Sequence, residues 1–81
     1  MTKPIYKKQT YFLIAILRSV RISHGLTQAQ LSEKIGRSQS YVAKYENNER
    51  SLKIIEFLEI CEALDVSPSD IIKEIVHAKD L

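Results

Sequence analysis

The chain has 81 residues, a formal net charge of +2 and one cysteine, which predicts one small domain without an internal disulfide. Its longest apolar run, residues 11–17, is far shorter than the roughly 20 residues of a membrane span, and no signal-peptide pattern precedes it. Cys61 has no metal-ligand cluster around it, and His24 and His77 are isolated. We therefore expect a soluble, cytoplasmic protein that is not an enzyme and holds no metal, cofactor or small-molecule ligand.

The charge is divided unevenly along the chain. Residues 1–53 carry ten Lys and Arg against three acids, a net +7, whereas residues 54–81 carry two Lys against seven acids, a net −5. A basic half suits the phosphate backbone of a nucleic acid, although a chance uneven surface gives the same numbers. The acids are expected to lie apart from this basic half.

The N-terminal part of the chain predicts a lead followed by a helix. Residues 1–9 are polar and basic, and predict a flexible lead or an arm that lies on nucleic acid. The domain itself is predicted over residues 10–81, with a first helix over residues 10–24. Its apolar first half requires cover from the C-terminal helix or from a second subunit. The spacing i, i+4, i+7, i+11 predicts an inner stripe of Leu13, Leu17, Val20 and His24.

The stretch TQAQLSEKIGRSQSYVAKYEN, residues 27–47, predicts two short helices joined by a tight turn. Thr27 caps the first helix, and Gln30 three residues later completes a capping box. Leu31 and Ile35 lie one turn apart on a single face, and Gly36 supplies the left-handed residue of a helix end.

The second helix of this stretch has an apolar face and a polar face. Ser38 is its predicted cap, and Val42 and Tyr45 are predicted to point inward. The other face carries Gln39, Ser40 and Lys44. Two short helices joined by a sharp turn, the second of which has a polar outer face, indicate a helix-turn-helix that reads DNA.

GLTQAQLSEKIGRSQSYVAKYEN resembles the helix-turn-helix of the Cro and phage-repressor type, the XRE-like family. The likeness lies in the Gly-Leu-Thr-Gln lead-in, the Leu-x-x-x-Ile-Gly end of the first helix and the Val-x-x-x-Glu-Asn end of the second. ICEALDVSPSDII is similar to the family's fourth and fifth helices, so the likeness covers about residues 13–76. Two positions depart from the pattern, because Ser32 stands where alanine is usual and Asn48 where glycine is common. The resemblance implies an all-α, compact five-helix, lambda-repressor-like DNA-binding domain.

Two further helices follow a turn over residues 48–51, in which Asn48 tolerates the left-handed conformation. The fourth helix is predicted over residues 52–64 with Ser51 as its cap. Its predicted inner stripe is Ile54, Phe57, Leu58, Cys61 and Leu64, while the residues expected to face water are Glu56, Glu59 and Glu62. Ser67 and Pro68 begin a last helix over residues 68–76, with apolar residues in surplus at Ile71, Ile72, Ile75 and Val76.

A recognition helix of this type enters the major groove with its N-terminal residues nearest the bases, which assigns base reading to Gln39, Ser40 and Lys44. The resemblance implies a salt bridge between Arg21 and Glu46 that fixes the angle of the motif. The resemblance also implies phosphate contacts or positioning roles for Gln28, Arg37, Ser38, Asn47 and Arg50. Tyr41 lies beside the base-reading residues and is expected to meet a phosphate or a thymine methyl group. Each has the alternative of a solvated surface residue, and Tyr41 has that of half-buried packing.

The expected function is sequence-specific binding of double-stranded DNA by a transcriptional regulator. The family generally works as symmetric dimers, so the predicted homodimer interface is formed by the apolar residues Ile55, Ile72 and Val76. A dimer of this kind reads a palindromic operator. The alternative is an antitoxin or protein-interaction module built on the same fold. Phage Cro proteins and controllers of restriction–modification systems both fit the size, and repression and activation both stay open.

Overall fold

The computed structural model describes residues 7–78, and this part of the chain folds into five α-helices without a β-strand. The helices are α1 (Lys7–Ser23), α2 (Gln28–Lys34), α3 (Tyr41–Glu46), α4 (Ile54–Ala63) and α5 (Pro68–His77). The prediction of an all-α, five-helix domain is thus confirmed. None of these helices is long and apolar enough to cross a membrane.

The first helix begins earlier than its sequence predicts. Helix α1 starts at Lys7, three residues before the predicted start, so residues 7–9 belong to the helix and not to a flexible lead. The rest of the predicted lead, residues 1–6, lies outside the described residues.

The inner stripe of α1 is also shifted from its predicted position. Leu17 is fully buried as expected, but Ile14 and Arg21 are buried with it. His24 is exposed because the helix has ended at Ser23, so its predicted inner position is wrong. An arginine on the buried side of a helix requires a charged partner, which α3 provides.

The hydrophobic core forms where α1 packs against α3 and α5, α2 against α3, and α4 against α5. Burying one aliphatic or aromatic side chain of this kind contributes about 1.5–3 kcal/mol. The buried side chains are Ile14, Leu17, Leu31, Tyr41, Val42, Tyr45, Phe57, Ile60, Cys61, Leu64 and Ile71.

The start of α4 differs from its prediction. Ser51 is not the cap, because the helix begins at Ile54 and Lys53 occupies the cap position. The Lys53 N–H donates to the Glu56 carboxylate at 2.8 Å, so this acid satisfies the helix start. Glu56 is therefore buried, and the prediction that it faces water is wrong.

The inner face of α4 lies partly outside the predicted stripe. Phe57 and Cys61 are buried as expected, but Ile60 is fully buried as well. Ile54 and Leu58 were assigned to the same stripe, and both are exposed, at 63% and 40%. These two apolar side chains are left on the surface of α4.

Left-handed backbone and side-chain caps set the remaining helix ends. Asn48 adopts φ 59° as predicted, and Asp65 adopts φ 55° at the end of α4. The Ser67 hydroxyl accepts the N–H of Asp70 at 3.3 Å, so α5 begins at Pro68 as its sequence predicts.

Candidate nucleic-acid interface

Helix α2 opens the predicted motif with a complete capping box. The Thr27 hydroxyl accepts the Gln30 N–H at 3.0 Å, and the Gln30 side-chain oxygen accepts the Thr27 N–H at 2.8 Å. Gly36 ends the helix with φ 68°, a conformation that glycine adopts without steric cost. The two-helix motif therefore has the start and the turn that its sequence predicts.

The start of α3 lies later than predicted. Ser38 is not its side-chain cap, because residues 38–41 form a turn in which the Ser38 carbonyl accepts the Tyr41 N–H at 3.0 Å. Ser40 takes the cap position without a side-chain hydrogen bond. The acceptor for the Val42 N–H is instead the hydroxyl of Ser32, 3.2 Å away in α2. Sequence reasoning missed this role of Ser32, although its departure from the usual alanine was a signal.

The three predicted base-reading side chains are all exposed. Gln39 and Ser40 lie in the turn just before α3, and Lys44 lies one turn inside the helix. The Lys44 N–H donates to the Ser40 carbonyl at 3.0 Å, which places these two residues on one side of the helix. Within residues 7–78, no side-chain hydrogen bond or ion pair engages any of the three. Their polar groups are open to an external partner.

The buried carboxylate of Glu46 connects both helices of the motif to α1. Arg21 donates through Nε to Glu46 Oε2 at 2.7 Å and through Nη2 to Glu46 Oε1 at 3.0 Å. Gln28 Nε2 donates to the same Oε1 at 2.9 Å, and the Glu46 side chain is only 3% exposed. Arg21 also donates through Nη1 to the Leu26 carbonyl at 2.7 Å. The Glu46 carboxylate thus joins α1, α2 and α3, and its hydrogen bond raises the pKa of Arg21.

The side chain of Gln28 is only partly used by the residues that the structure describes. One amide N–H bonds to Glu46, while the second N–H and the amide oxygen have no hydrogen-bond partner among residues 7–78. The bracing role implied for Gln28 is therefore visible, and its amide can still offer a donor to a phosphate.

Two predicted phosphate-binding arginines are paired with glutamates of α4. Arg37 Nη2 lies 2.6 Å from Glu59 Oε1, and Arg50 donates to Glu56. The expectation that the acids lie apart from the basic half is wrong for these two residues. The pairing raises the pKa of Arg37. The hydrogen bond from Lys53 N–H and the neighbouring Arg50 lower the pKa of Glu56, against the opposing effect of burial.

Tyr41 follows the packing alternative. Its ring is buried against Tyr45 in an edge-to-face pair with centroids 5.8 Å apart. The guanidinium carbons of Arg50 and Arg37 lie 4.8 Å and 5.3 Å from the Tyr41 ring centroid. Its hydroxyl is buried, which raises the pKa of Tyr41 and removes the oxygen from the surface where phosphate would approach. The role of Tyr41 as a direct phosphate contact is therefore not supported, and its ring instead supports the two arginines.

The other predicted positioning residues are accessible. Ser38 is exposed in the turn between the motif helices. Asn47 ends α3, and its side-chain amide donates to Glu49. The side chains of Ser38 and Asn47 are thus on the surface, near the two ends of α3.

The predicted dimer residues Ile55, Ile72 and Val76 are exposed on α4 and α5, as are Ile54 and Leu58 on α4. A groove of about 310 Å³ includes Ile72 and Val76 but not Ile55. Its lining residues are Leu13, Leu52, Ile54, Phe57, Ile71, Ile72, Ile75 and Val76. The surplus of apolar side chains predicted for this end of the molecule is thus on its surface.

Comparisons with known proteins agree with this geometry. A family model described as helix-turn-helix matches residues 17–71. Antitoxin HipB of Escherichia coli O6:H1 (strain CFT073) is 33% identical over 51 residues, which are 63% of this chain and 54% of HipB. The match thus spans about half the length of that relative.

Similar solved structures cover more of the chain. An XRE-family-like protein from Pseudomonas syringae pv. tomato str. DC3000 is 32% identical with a TM-score of 0.86, over 91% of this chain and 90% of that one. The restriction-modification controller protein C.AhdI from Aeromonas hydrophila is 29% identical with a TM-score of 0.70, over 76% of this chain and 94% of that one. The family model covers more than half of the chain, so the chain belongs to the XRE-type helix-turn-helix family of DNA-binding transcriptional regulators.

Proposed function

We propose that this chain is a sequence-specific transcriptional regulator that binds a palindromic operator in double-stranded DNA as a homodimer. One observation carries the proposal. The side chains of Gln39, Ser40 and Lys44 are exposed and have no hydrogen-bond or ion-pair partner within residues 7–78, and the motif that holds them is fixed by the buried ion pair of Arg21 and Glu46. Such side chains can exchange hydrogen bonds with bases without first breaking contacts within the protein. A protein of this kind acts where the chromosome lies, so we place it in the cytoplasm.

In the proposed complex, α3 lies in the major groove with its N-terminal end nearest the bases. The amide of Gln39 suits adenine, where it pairs with N6 and N7, and the ammonium of Lys44 suits O6 and N7 of guanine. The Ser40 hydroxyl both donates and accepts, so it discriminates more weakly.

Phosphate contacts fix the register of such a complex. We assign them to Arg37 and Arg50, whose guanidinium groups exchange a glutamate carboxylate for a phosphate, and to the exposed polar side chains beside α3. Those other side chains are Gln28, Ser38 and Asn47. Because each arginine gives up one anion to bind another, the free energy gained from its phosphate contact is smaller than that of an unpaired arginine.

The apolar side of α4 and α5 is the proposed dimer interface. Exposed apolar residues of this number are unusual on a monomer of this size, and a two-fold axis buries the same patch on both subunits. Ile55, Ile72 and Val76 form the proposed contact. Dimers of this motif read two half-sites about 34 Å apart on one face of the DNA, and we propose the same spacing for this chain.

Selection of bound sequences from a random double-stranded DNA pool tests the proposal. We expect a palindromic consensus, whose affinity exceeds that of a scrambled duplex by at least about 1000-fold at physiological salt. Sedimentation of the protein with and without the consensus duplex is expected to show two subunits. Enrichment of no sequence, or only monomer at high concentration, would contradict the corresponding part of the proposal.

A second candidate function is suggested by the similarity to antitoxin HipB. An antitoxin binds a companion protein and can also bind DNA with the same motif. Purification of the chain from its native cells distinguishes the two candidates, because an antitoxin brings a companion protein in stoichiometric amount. A regulator of the first kind purifies as the homodimer alone.

A further inference from the structure

Ser32 connects the two helices of the motif through a buried hydroxyl. It lies in α2, fully buried, and its Oγ accepts the N–H of Val42 at 3.2 Å. The same Oγ lies 3.4 Å from the Gln39 carbonyl oxygen, toward which it donates. A hydroxyl can accept one hydrogen bond and donate another, whereas alanine can do neither.

The contact with Val42 supplies what the start of α3 lacks. The first N–H groups of a helix have no partner within the helix and are usually satisfied by the side chain of the cap residue. Ser40 at the cap position makes no such bond. The N–H of Val42 is instead accepted by the hydroxyl of Ser32, which lies on a different helix, ten residues before Val42.

One contact of Ser32 is with the proposed base-reading residue Gln39, and the other is with Val42. Gln39 lies in the turn before α3 and Val42 in the first turn of the helix, so the two peptide groups that Ser32 touches flank Ser40 at the start of the recognition helix. Lys44 is held differently, by the backbone hydrogen bond to Ser40 and by the Glu46 brace two residues beyond it.

We propose that Ser32 is a positioning residue for base reading, which holds Gln39 and Ser40 at the angle that reaches the bases. This inference rests on the proposed function and concerns the base-reading residues Gln39 and Ser40 of the same interface. Ser32 does not touch DNA itself, since its side chain is buried. Its loss is therefore expected to weaken the discrimination at the base pair that Gln39 reads and to leave the phosphate contacts unchanged.

The test compares Ser32→Ala with Ile60→Val on the consensus duplex selected for the wild-type protein. Ile60 is fully buried in α4, outside the motif, and its loss of one methyl group lowers stability to a similar degree. Affinities are measured for the consensus, for the consensus changed at each base pair, and for a scrambled duplex, over a series of salt concentrations. Ser32→Cys, which fills the site with a slightly larger side chain that forms only weak hydrogen bonds, is the second variant if the alanine variant does not fold.

We expect Ser32→Ala to lower the ratio of consensus to scrambled affinity about two- to tenfold, the range of one net hydrogen bond. The loss should fall on the base pair read by Gln39 and should disappear in a Gln39→Ala background, while the salt dependence stays that of the wild type. Ile60→Val should keep the wild-type ratio.

Two results would overturn the positioning role of Ser32 but leave the proposed function standing. One is an unchanged ratio of consensus to scrambled affinity in Ser32→Ala, and the other is an equal loss of that ratio in Ile60→Val. A wild-type protein without any sequence preference would overturn the proposed function as well, so the two failures are distinguishable.

Discussion

Arg37 and Glu59 form an ion pair between the turn of the helix-turn-helix and α4, with Arg37 Nη2 2.6 Å from Glu59 Oε1. Both side chains are partly exposed, at 35% and 44%. In the protein without DNA, the Glu59 carboxylate is therefore bound to the Arg37 guanidinium, the group that we propose to bind phosphate. We therefore expect Glu59 to compete with DNA phosphate for Arg37.

Glu59→Gln is expected to strengthen DNA binding, because it releases Arg37 for phosphate. A partly exposed pair contributes about 0–1 kcal/mol, so the gain should be up to about fivefold. Glu62→Gln is the matched control, since it removes the same charge from an exposed position of the same helix. Titration of both variants with a scrambled duplex checks the prediction. Equal gains would show that only net charge matters and that Arg37 is not used.

Glu46→Ala is expected to destabilise the domain by about 3–5 kcal/mol, because it leaves the buried Arg21 guanidinium without its carboxylate. Urea unfolding monitored by helical circular dichroism measures the change. Glu33→Ala removes an exposed carboxylate from α2 and should have little effect. An unchanged midpoint for Glu46→Ala would show that the brace is dispensable.

The stability of the domain should decrease in acid through Glu56. The folded protein lowers the pKa of Glu56 below its ordinary value of 4.5, so the unfolded chain takes up the proton first as the pH falls. The contribution of Glu56 is fully present above that value and is lost as the pH falls through the folded pKa.

Glu56→Gln isolates this contribution, because glutamine can still accept the Lys53 N–H. Wild-type protein should be the more stable at neutral pH, and the difference in the free energy of unfolding should shrink between about pH 6 and pH 3. A difference that stays constant or widens over this range would contradict the assignment.

Local patterns in the sequence predicted the parts of the fold that depend on neighbouring residues. The capping box of Thr27 and Gln30, the left-handed Gly36 and the cap by Ser67 each involve residues within a few positions of one another. The inward positions of Val42 and Tyr45 follow from their spacing on one helix. These features require no knowledge of the rest of the chain.

Some features that the sequence did not predict depend on a partner in another helix, and others on which residue caps a helix. Ser38 was the expected cap of α3, but the acceptor comes from Ser32 on the preceding helix. Glu56 was expected to face water because it is charged, yet the helix start and Arg50 draw its carboxylate inward. Periodicity alone shows neither the hydrogen bond between α2 and α3 nor the cap position that Lys53 takes at the start of α4.

The buried face of α4 could not be predicted for a different reason. Apolar residues surround most of this helix, so several stripes fit its spacing equally well. The core takes Phe57, Ile60 and Cys61 and leaves Ile54 and Leu58 on the surface. Which stripe is buried is decided by the packing of α4 against α5 and the rest of the core.

Ile72→Lys is expected to convert the proposed dimer to a monomer, because it places a charge in the centre of the apolar patch. Ile22→Lys is the control, since Ile22 is similarly exposed but lies on α1. Sedimentation equilibrium over a range of concentrations measures both. Dimers of Ile72→Lys as stable as those of the wild type would place the interface elsewhere.

The central claim is that the exposed side chains at the start of α3 read bases, and Gln39→Ala tests it most directly. Binding of this variant is measured against the selected consensus, against the consensus changed at each base pair, and against a scrambled duplex. We predict a loss of about 1–3 kcal/mol on the consensus with relaxed preference at one base pair and little change on the scrambled duplex. An equal loss on consensus and scrambled DNA would show that Gln39 does not read sequence.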